Sequence, residues 1–191
     1  MRLKQLFTLA FVVALATTMM PSPAQADTDT PAQAAAAPNS WYRIYPVSFN
    51  YNLCAEVQGG STANSAVVQQ FTCGLGLHMA WQFRYLDNGY YRLVNVKSGK
   101  CMNVQGGGSA NGTAIIQFTC GGASAYNDQW RMVYLITFWG HDYYHIINRQ
   151  TGKCLNLRGG SSSPGADIIQ WTCSDTALND DFTWQIPAGW E

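Results

Sequence analysis

Tyr90-Tyr91-Arg92-Leu93-Val94-Asn95, Ser98-Gly99-Lys100-Cys101-Met102-Asn103-Val104, Gly106-Gly107 and Ile115-Ile116-Gln117-Phe118-Thr119-Cys120 form one ordered series, closed by Asp128-Gln129-Trp130. The series is restated as Tyr143-Tyr144-His145-Ile146-Ile147-Asn148, Thr151-Gly152-Lys153-Cys154-Leu155-Asn156-Leu157, Gly159-Gly160 and Ile168-Ile169-Gln170-Trp171-Thr172-Cys173, with Trp184 read as its closing residue. A looser first copy holds Trp41-Tyr42-Arg43-Ile44, Cys54-Ala55-Glu56-Val57, Gly59-Gly60, Val67 to Cys73, and Trp81. Cys54, Cys101 and Cys154 are spaced 47 and 53 residues apart, and Trp81, Trp130 and Trp184 are spaced 49 and 54. A period of this size marks a repeat architecture.

Each copy reads as about four short strands broken by turn chemistry. Ser98-Gly99 and Thr151-Gly152 are tight-turn signals between β-rich runs, and the Gly-Gly pairs open loops that need a permissive backbone. After residue 40 no stretch carries a helical period with caps. Three such units predict a closed, pseudo-threefold all-β domain without exposed sheet edges. The recurring tryptophans belong where the units meet, as shared core. The repeats span about 41–87, 88–140 and 141–187.

Outward from the repeat, the ends differ in kind. Arg2 and Lys4 precede an apolar run from Leu6 to Thr17, and Pro23 leads into Ala24-Gln25-Ala26. This is the pattern of a signal peptide over 1–26, cut after Ala26 and too short to span a bilayer comfortably. Residues 27–39 carry Ala, Thr, Pro and Asp and no aromatic residue, which reads as a flexible leader before a domain over 40–191. A secreted, extracellular protein is therefore expected. The chain holds 11 Lys and Arg against 11 Asp and Glu, so without Arg2 and Lys4 the net charge is near −2. That balance points to neither nucleic acid nor an anionic membrane as partner, and no membrane insertion is expected.

Cys54 and Cys73, Cys101 and Cys120, and Cys154 and Cys173 are each 19 apart, one pair per copy. The repeat thus selects one pairing of the fifteen possible, and export makes disulfides the expected state. No Cys-x-x-Cys occurs and the histidines do not recur with the cysteines, so no metal is expected. His141 and His145 are joined through Asp142-Tyr143-Tyr144, which leads into a strand rather than a ligand-bearing helix.

The thrice-repeated Cys-Leu-Asn-Val-like strand, Gly-Gly loop, Ile-Gln-aromatic-x-Cys strand and closing Trp resemble the ricin B-type lectin domain, a β-trefoil, over about Trp41 to Pro187. Within that family the sequence most resembles the sugar-binding modules that bacteria attach to secreted glycoside hydrolases. The family's closing motif is Gln-x-Trp, whereas this chain reads Met79-Ala80-Trp81, Asp128-Gln129-Trp130 and Phe182-Thr183-Trp184.

The resemblance implies one shallow sugar site per repeat. It takes a polar residue two after the first Cys, an aromatic two before the second, and a polar side chain near the closing Trp. By position these are Asn103, Phe118 and Asn127 with adjacent Asp128 in copy two, and Asn156, Trp171 and Asp181 in copy three. In copy one they are Glu56, Phe71 and His78. A sugar offers an apolar C–H face and a rim of hydroxyls, which an aromatic platform and fixed polar groups read. None of the copies has the family's Asp at the first position, and copies two and three are the expected sites. Strand alternation leaves the aromatics open between core and platform: with Ile116 and Cys120 on the core face, Phe118 joins them and Gln117 points outward. Trp171 and Gln170 repeat the choice. If the rings are core, Gln117 and Gln170 become polar contacts and Tyr126 a stacking ring.

Catalytic patterns are absent from the sequence. There is no Gly-x-Ser-x-Gly elbow, and Gly106-Gly107-Gly108 lacks the strand-turn-helix setting of a phosphate loop. No carboxylate pair recurs as glycoside hydrolysis requires; Asp180-Asp181 reads as a solvated loop, and Asn111-Gly112-Thr113 as a sequon or a turn. The expectation is a non-enzymatic carbohydrate-binding protein without cofactor. The alternatives are a trefoil scaffold acting on a separate secreted protein, as inhibitor or toxin partner, and a small secreted hydrolase.

Overall fold

The computed structural model describes residues 40–47, 52–138 and 140–185, so the signal-peptide and leader segments lie outside the described residues. Each copy contributes four strands: β1 Trp41–Pro46, β2 Leu53–Val57, β3 Ala66–Thr72 and β4 Trp81–Tyr85; then β5 Tyr90–Asn95, β6 Cys101–Val104, β7 Ile115–Phe118 and β8 Trp130–Phe138; then β9 His141–Asn148, β10 Cys154–Leu157, β11 Ile168–Trp171 and β12 Asp181–Gln185.

The outer strands of each copy close a six-stranded ring. β1 pairs with β4, β4 with β5, β5 with β8, β8 with β9, β9 with β12, and β12 returns to β1, all antiparallel. The inner strands form three hairpins, β2–β3, β6–β7 and β10–β11. These meet through β3–β7 pairing and the bridges Gln69↔Asp167 and Ala114↔Ile169. This is a β-trefoil. The disulfides are Cys54–Cys73, Cys101–Cys120 and Cys154–Cys173, with Cα separations of 5.3, 5.0 and 5.1 Å.

The Gly-Gly pairs have a shared backbone reason. Gly59 and Gly60, Gly106 and Gly107, and Gly159 and Gly160 each place two consecutive residues at φ between 60 and 66°. A side chain in that region costs about 1–2 kcal/mol per residue.

Core positions recur in threes: Tyr42, Tyr91 and Tyr144; Ile44, Leu93 and Ile146; Ala55, Met102 and Leu155; Val68, Ile115 and Ile168. This symmetry corrects the third closing residue. Tyr42 pairs with Trp81, Tyr91 with Trp130, and Tyr144 with Phe182. Phe182, fully buried like Trp81 and Trp130, is therefore their equivalent, and Trp184 takes the place of Phe83 and Met132. Phe182 and Trp184 lie two apart on one face of β12, so in sequence the larger ring took the smaller one's role. Trp81 and Trp130 each donate an indole N–H to a strand carbonyl, of Ala55 and Met102, at 3.0 Å.

Candidate functional site

The alternation of β7 resolves the question left open by sequence. Ile115 faces the central core with Val68 and Ile168, so its strand-mate Gln117 points inward and Phe118 points out. Phe118 is 40% exposed, Phe71 41% and Trp171 45%. Ile116 and Ile169, buried outside the central cluster, sit on the same face as the rings.

Gln117 and Gln170 are fully buried pins between repeats and present nothing to a ligand. Gln117 Nε2 donates to the carbonyls of Ser61 and Ala63, both at 2.9 Å, and its Oε1 accepts from Ser98 Oγ at 2.6 Å. Gln170 Nε2 donates to Gly108 and Ala110, at 2.7 and 3.0 Å, and accepts from Thr151 Oγ1 at 2.9 Å. Gln70 of the first repeat donates to Ser161 and Ser163, both at 2.7 Å. Each repeat thus grips the Gly-Gly loop of another, in a closed cycle.

In repeat two the expected residues converge. Asn103 stands across from Ile116 in the β6–β7 register. Asn127 Nδ2 donates to Asn103 Oδ1 at 3.1 Å and to the Val104 carbonyl at 3.3 Å. Asn103, Asn127, Ile116, Phe118 and Thr119, with Ser65 from the preceding repeat, line one open pocket of about 480 Å³. Among the described residues no ionisable side chain lines it. The Asn103 oxygen is committed to Asn127, which leaves its amide nitrogen as the donor for a ligand. A ring edge, two primary amides and hydroxyls around an apolar floor suit a neutral, hydroxyl-rich ligand.

Sequence reasoning missed the groups that hold this pocket. Asn148, from the next repeat, donates from Nδ2 to the Asn127 carbonyl at 3.1 Å. Its own Oδ1 accepts the N–H groups of Gln150 and Thr151 at 3.1 and 3.3 Å. Asn64 Oδ1 accepts the N–H of Thr119 at 3.0 Å and so brings Ser65 to the pocket. Asp128, expected as a sugar contact, is fully buried instead; it accepts the Gly121 N–H at 2.7 Å and pairs with Arg92 at 3.2 Å. The recurrence of Asn95 and Asn148 at strand ends was the available signal. Tyr126, the alternative stacking ring, is 42% exposed and carries the Arg149 guanidinium 4.7 Å from its centroid.

Repeat three repeats the arrangement with a shifted residue. Because Phe182 closes the copy, the equivalent of Asn127 is Asn179, and its Nδ2 donates to Asn156 Oδ1 at 3.2 Å. Asn179 therefore replaces Asp181, whose side chain lies outside the described side chains. Trp171 lies beside Gly112 of the preceding repeat, where an added Cβ would stand 3.8 Å from the indole. Asp180 is not solvated: it is fully buried and accepts the Ser174 N–H at 2.7 Å. Asn111 caps the same edge, accepting from the Thr172 N–H at 3.1 Å and Lys153 Nζ at 2.7 Å, so the sequon segment is a tied turn.

Repeat one differs in chemistry. Glu56 accepts from Gln69 Nε2 at 2.8 Å and lies 3.2 Å from His78 Nε2, so its buried carboxylate is already engaged beside Phe71. His145, Cys154 and Cys173 bring three donor atoms within 4.8 Å, but the sulfurs are bonded to each other and offer no thiolate to a metal.

The sequence pattern of the family described as "Ricin-type beta-trefoil lectin domain-like" matches residues 33–118 and 126–190. The chain belongs to this family. The lectin-like domain is 30% identical to the designed threefold-symmetric protein ThreeFoil, over 75% of this chain and 96% of that one, with a TM-score of 0.66. It is 27% identical to an exo-β-1,3-galactanase from Clostridium thermocellum, over 79% of this chain and only 31% of the enzyme, with a TM-score of 0.68. A ricin B-like lectin of Macrolepiota procera, solved in complex with lactose, shares the fold at 18% identity, over 80% of this chain and 99% of that one, with a TM-score of 0.64. No curated protein sequence matches the chain.

Proposed function

We propose that this chain is an exported, non-enzymatic sugar-binding protein that engages a polysaccharide or glycan through repeats two and three. One observation carries the reading. The exposed Phe118 ring and the hydrogen-bonded Asn103–Asn127 pair meet on a single uncharged pocket. Trp171 and the Asn156–Asn179 pair recur in repeat three. Export fits the pattern over residues 1–26 and the three disulfides. Single shallow sites bind weakly, and two sites on one rigid body gain avidity on a polymer.

A second reading is contact with another protein, favoured by the β8–β9 hairpin. It departs from threefold symmetry and exposes Tyr134, Ile136 and Phe138. A glycan and polysaccharide array probed with wild type, Asn103→Ala, Asn156→Ala and the double variant separates the two. The sugar reading expects wild-type signal, weakened by each substitution and abolished by both. Absence of wild-type binding to every glycan and polysaccharide refutes it. Binding that survives the double variant refutes the site assignment.

A further inference from the structure

The asparagine pairs of repeats two and three, Asn103–Asn127 and Asn156–Asn179, are each followed by a buried carboxylate one residue past the second asparagine. Asp128 follows Asn127 and ties the loop start through the Gly121 N–H at 2.7 Å. Asp180 follows Asn179 and ties its loop through the Ser174 N–H, also at 2.7 Å. Both carboxylates are fully buried.

Their counter-charges differ. Arg92 Nε lies 3.2 Å from both oxygens of Asp128, and Arg92 Nη2 donates to the Gly122 carbonyl at 2.7 Å. By the strand register, Tyr91↔Trp130 and Tyr144↔Phe182, the place of Arg92 is taken in repeat three by His145. His145 Nε2 lies 3.7 Å from Asp180 Oδ1, with the two side chains 4% and 0% exposed. The Cys154–Cys173 sulfurs, which carry no charge, lie within 4.8 Å of a ring nitrogen. The backbone partners of His145 are Val133 on β8 and Asp181 on β12.

We propose that His145 is the positioning residue of the third-repeat site, and that its protonation tightens that site while the arginine-held second site is indifferent to pH. The binding half of this rests on the sugar-binding reading above. Arginine stays charged throughout the working range. Histidine is the side chain that ordinarily changes charge between pH 5 and 8. Neutral, the imidazole leaves Asp180 without a counterpart, among the described residues, of the cation that Asp128 has. Protonated, it sets a cation at ion-pair distance from Asp180, 3.7 Å, which a closing of a few tenths of an ångström turns into a charge-assisted hydrogen bond. The turn from Ser174 to Asp180, and with it Asn179, is then held as firmly as its counterpart in repeat two.

The first test needs no ligand. Amide protection factors, corrected for intrinsic exchange, are measured for Ser174 and Gly121 at pH 5.5 and pH 8. Ser174 is expected to be about tenfold better protected at the lower pH, the equivalent of one charge-assisted hydrogen bond, and Gly121 to be unchanged. His145→Arg should keep Ser174 protected at both pH values, and His145→Gln should leave it weakly protected at both. A pH-independent Ser174 in wild type, or a pH response that survives His145→Gln, overturns the proposal.

The second test is retention on lactosyl-agarose by Asn103→Ala, which keeps the third site, and by Asn156→Ala, which keeps the second. Retention of the first alone should rise on acidification. Flat retention of Asn103→Ala overturns the coupling to binding. A failure of wild type to be retained at either pH, with the exchange result intact, counts against lactose recognition and leaves the positioning role of His145 standing.

Discussion

Replacing each buried glutamine by leucine, one at a time, measures how the repeats are locked together. Gln117 and Gln170 each make three hydrogen bonds to other segments, two through Nε2 and one through Oε1. At about 1 kcal/mol net per bond, Gln117→Leu and Gln170→Leu should each cost about 3 kcal/mol. Gln70 makes two bonds through Nε2, and its Oε1 has no hydrogen-bond partner among the described residues. A buried unpaired carbonyl costs about 1–3 kcal/mol, and leucine removes that cost along with the bonds. Gln70→Leu should therefore change stability by no more than about 1 kcal/mol in either direction. Leucine keeps the volume, so no cavity term enters. For a domain of this size each kcal/mol moves Tm by about 2–4 °C. Urea unfolding of the oxidised protein is the assay, with an unchanged m-value as the check that only stability moved. The expected pattern is two equal large losses and one small change. A Gln70→Leu loss as large as that of Gln117→Leu would refute the reasoning, because the threefold frame is otherwise the same at all three positions. Gln117→Leu should also weaken repeat-two binding, since it releases the Ser61–Ser65 loop that walls the pocket.

Phe118→Ala should reduce repeat-two binding at least tenfold, read on an Asn156→Ala background. Melting should shift by no more than about 3 °C, because a half-exposed ring contributes about 1 kcal/mol or less to folding. Ser65 holds φ of 67° where Gly112 and Gly165 stand in the other copies. Ser65→Gly should therefore raise stability by about 0.5–1 kcal/mol, the left-handed penalty less the entropy glycine gains on unfolding, measured as an increased urea midpoint. Burial and the neighbouring Asp142 carboxylate push the Tyr144 phenol up to about 12. A raised value means the folded state holds the proton more tightly, so this stabilisation is complete below pH 10 and lost as pH rises from 10 through 12. Asp142→Asn should narrow that window in a spectrophotometric tyrosine titration, and an unshifted titration would contradict the assignment.

The repeat was legible because disulfides, left-handed glycines and core residues each need particular residue types at fixed spacing. Cys101 and Cys120, Gly106 and Gly107, and Ile115 announce their roles without a structure. The residues that line the second-repeat pocket were legible by position: Asn103, Phe118 and Asn127 converge there. One reading failed and one question stayed open, each for an identifiable reason. Phe182 and Trp184 share a face of β12, and spacing alone favoured the larger ring, which displaced Asn179 in favour of Asp181. Ile115 and Ile116 are both buried, so apolar identity could not say which one faces the central core; that choice decides whether Phe118 or Gln117 points outward.

By itself, then, the sequence determined the all-β threefold scaffold and its three disulfides, because local spacing and turn chemistry act within one repeat. Only the tertiary structure decided what passes between repeats. The glutamine pins, the grip of Asn148 on Asn127, and the pairing of Asp128 with Arg92 where Asp180 meets His145 all join residues distant in the chain. Their geometry exists only once the ring of strands has closed.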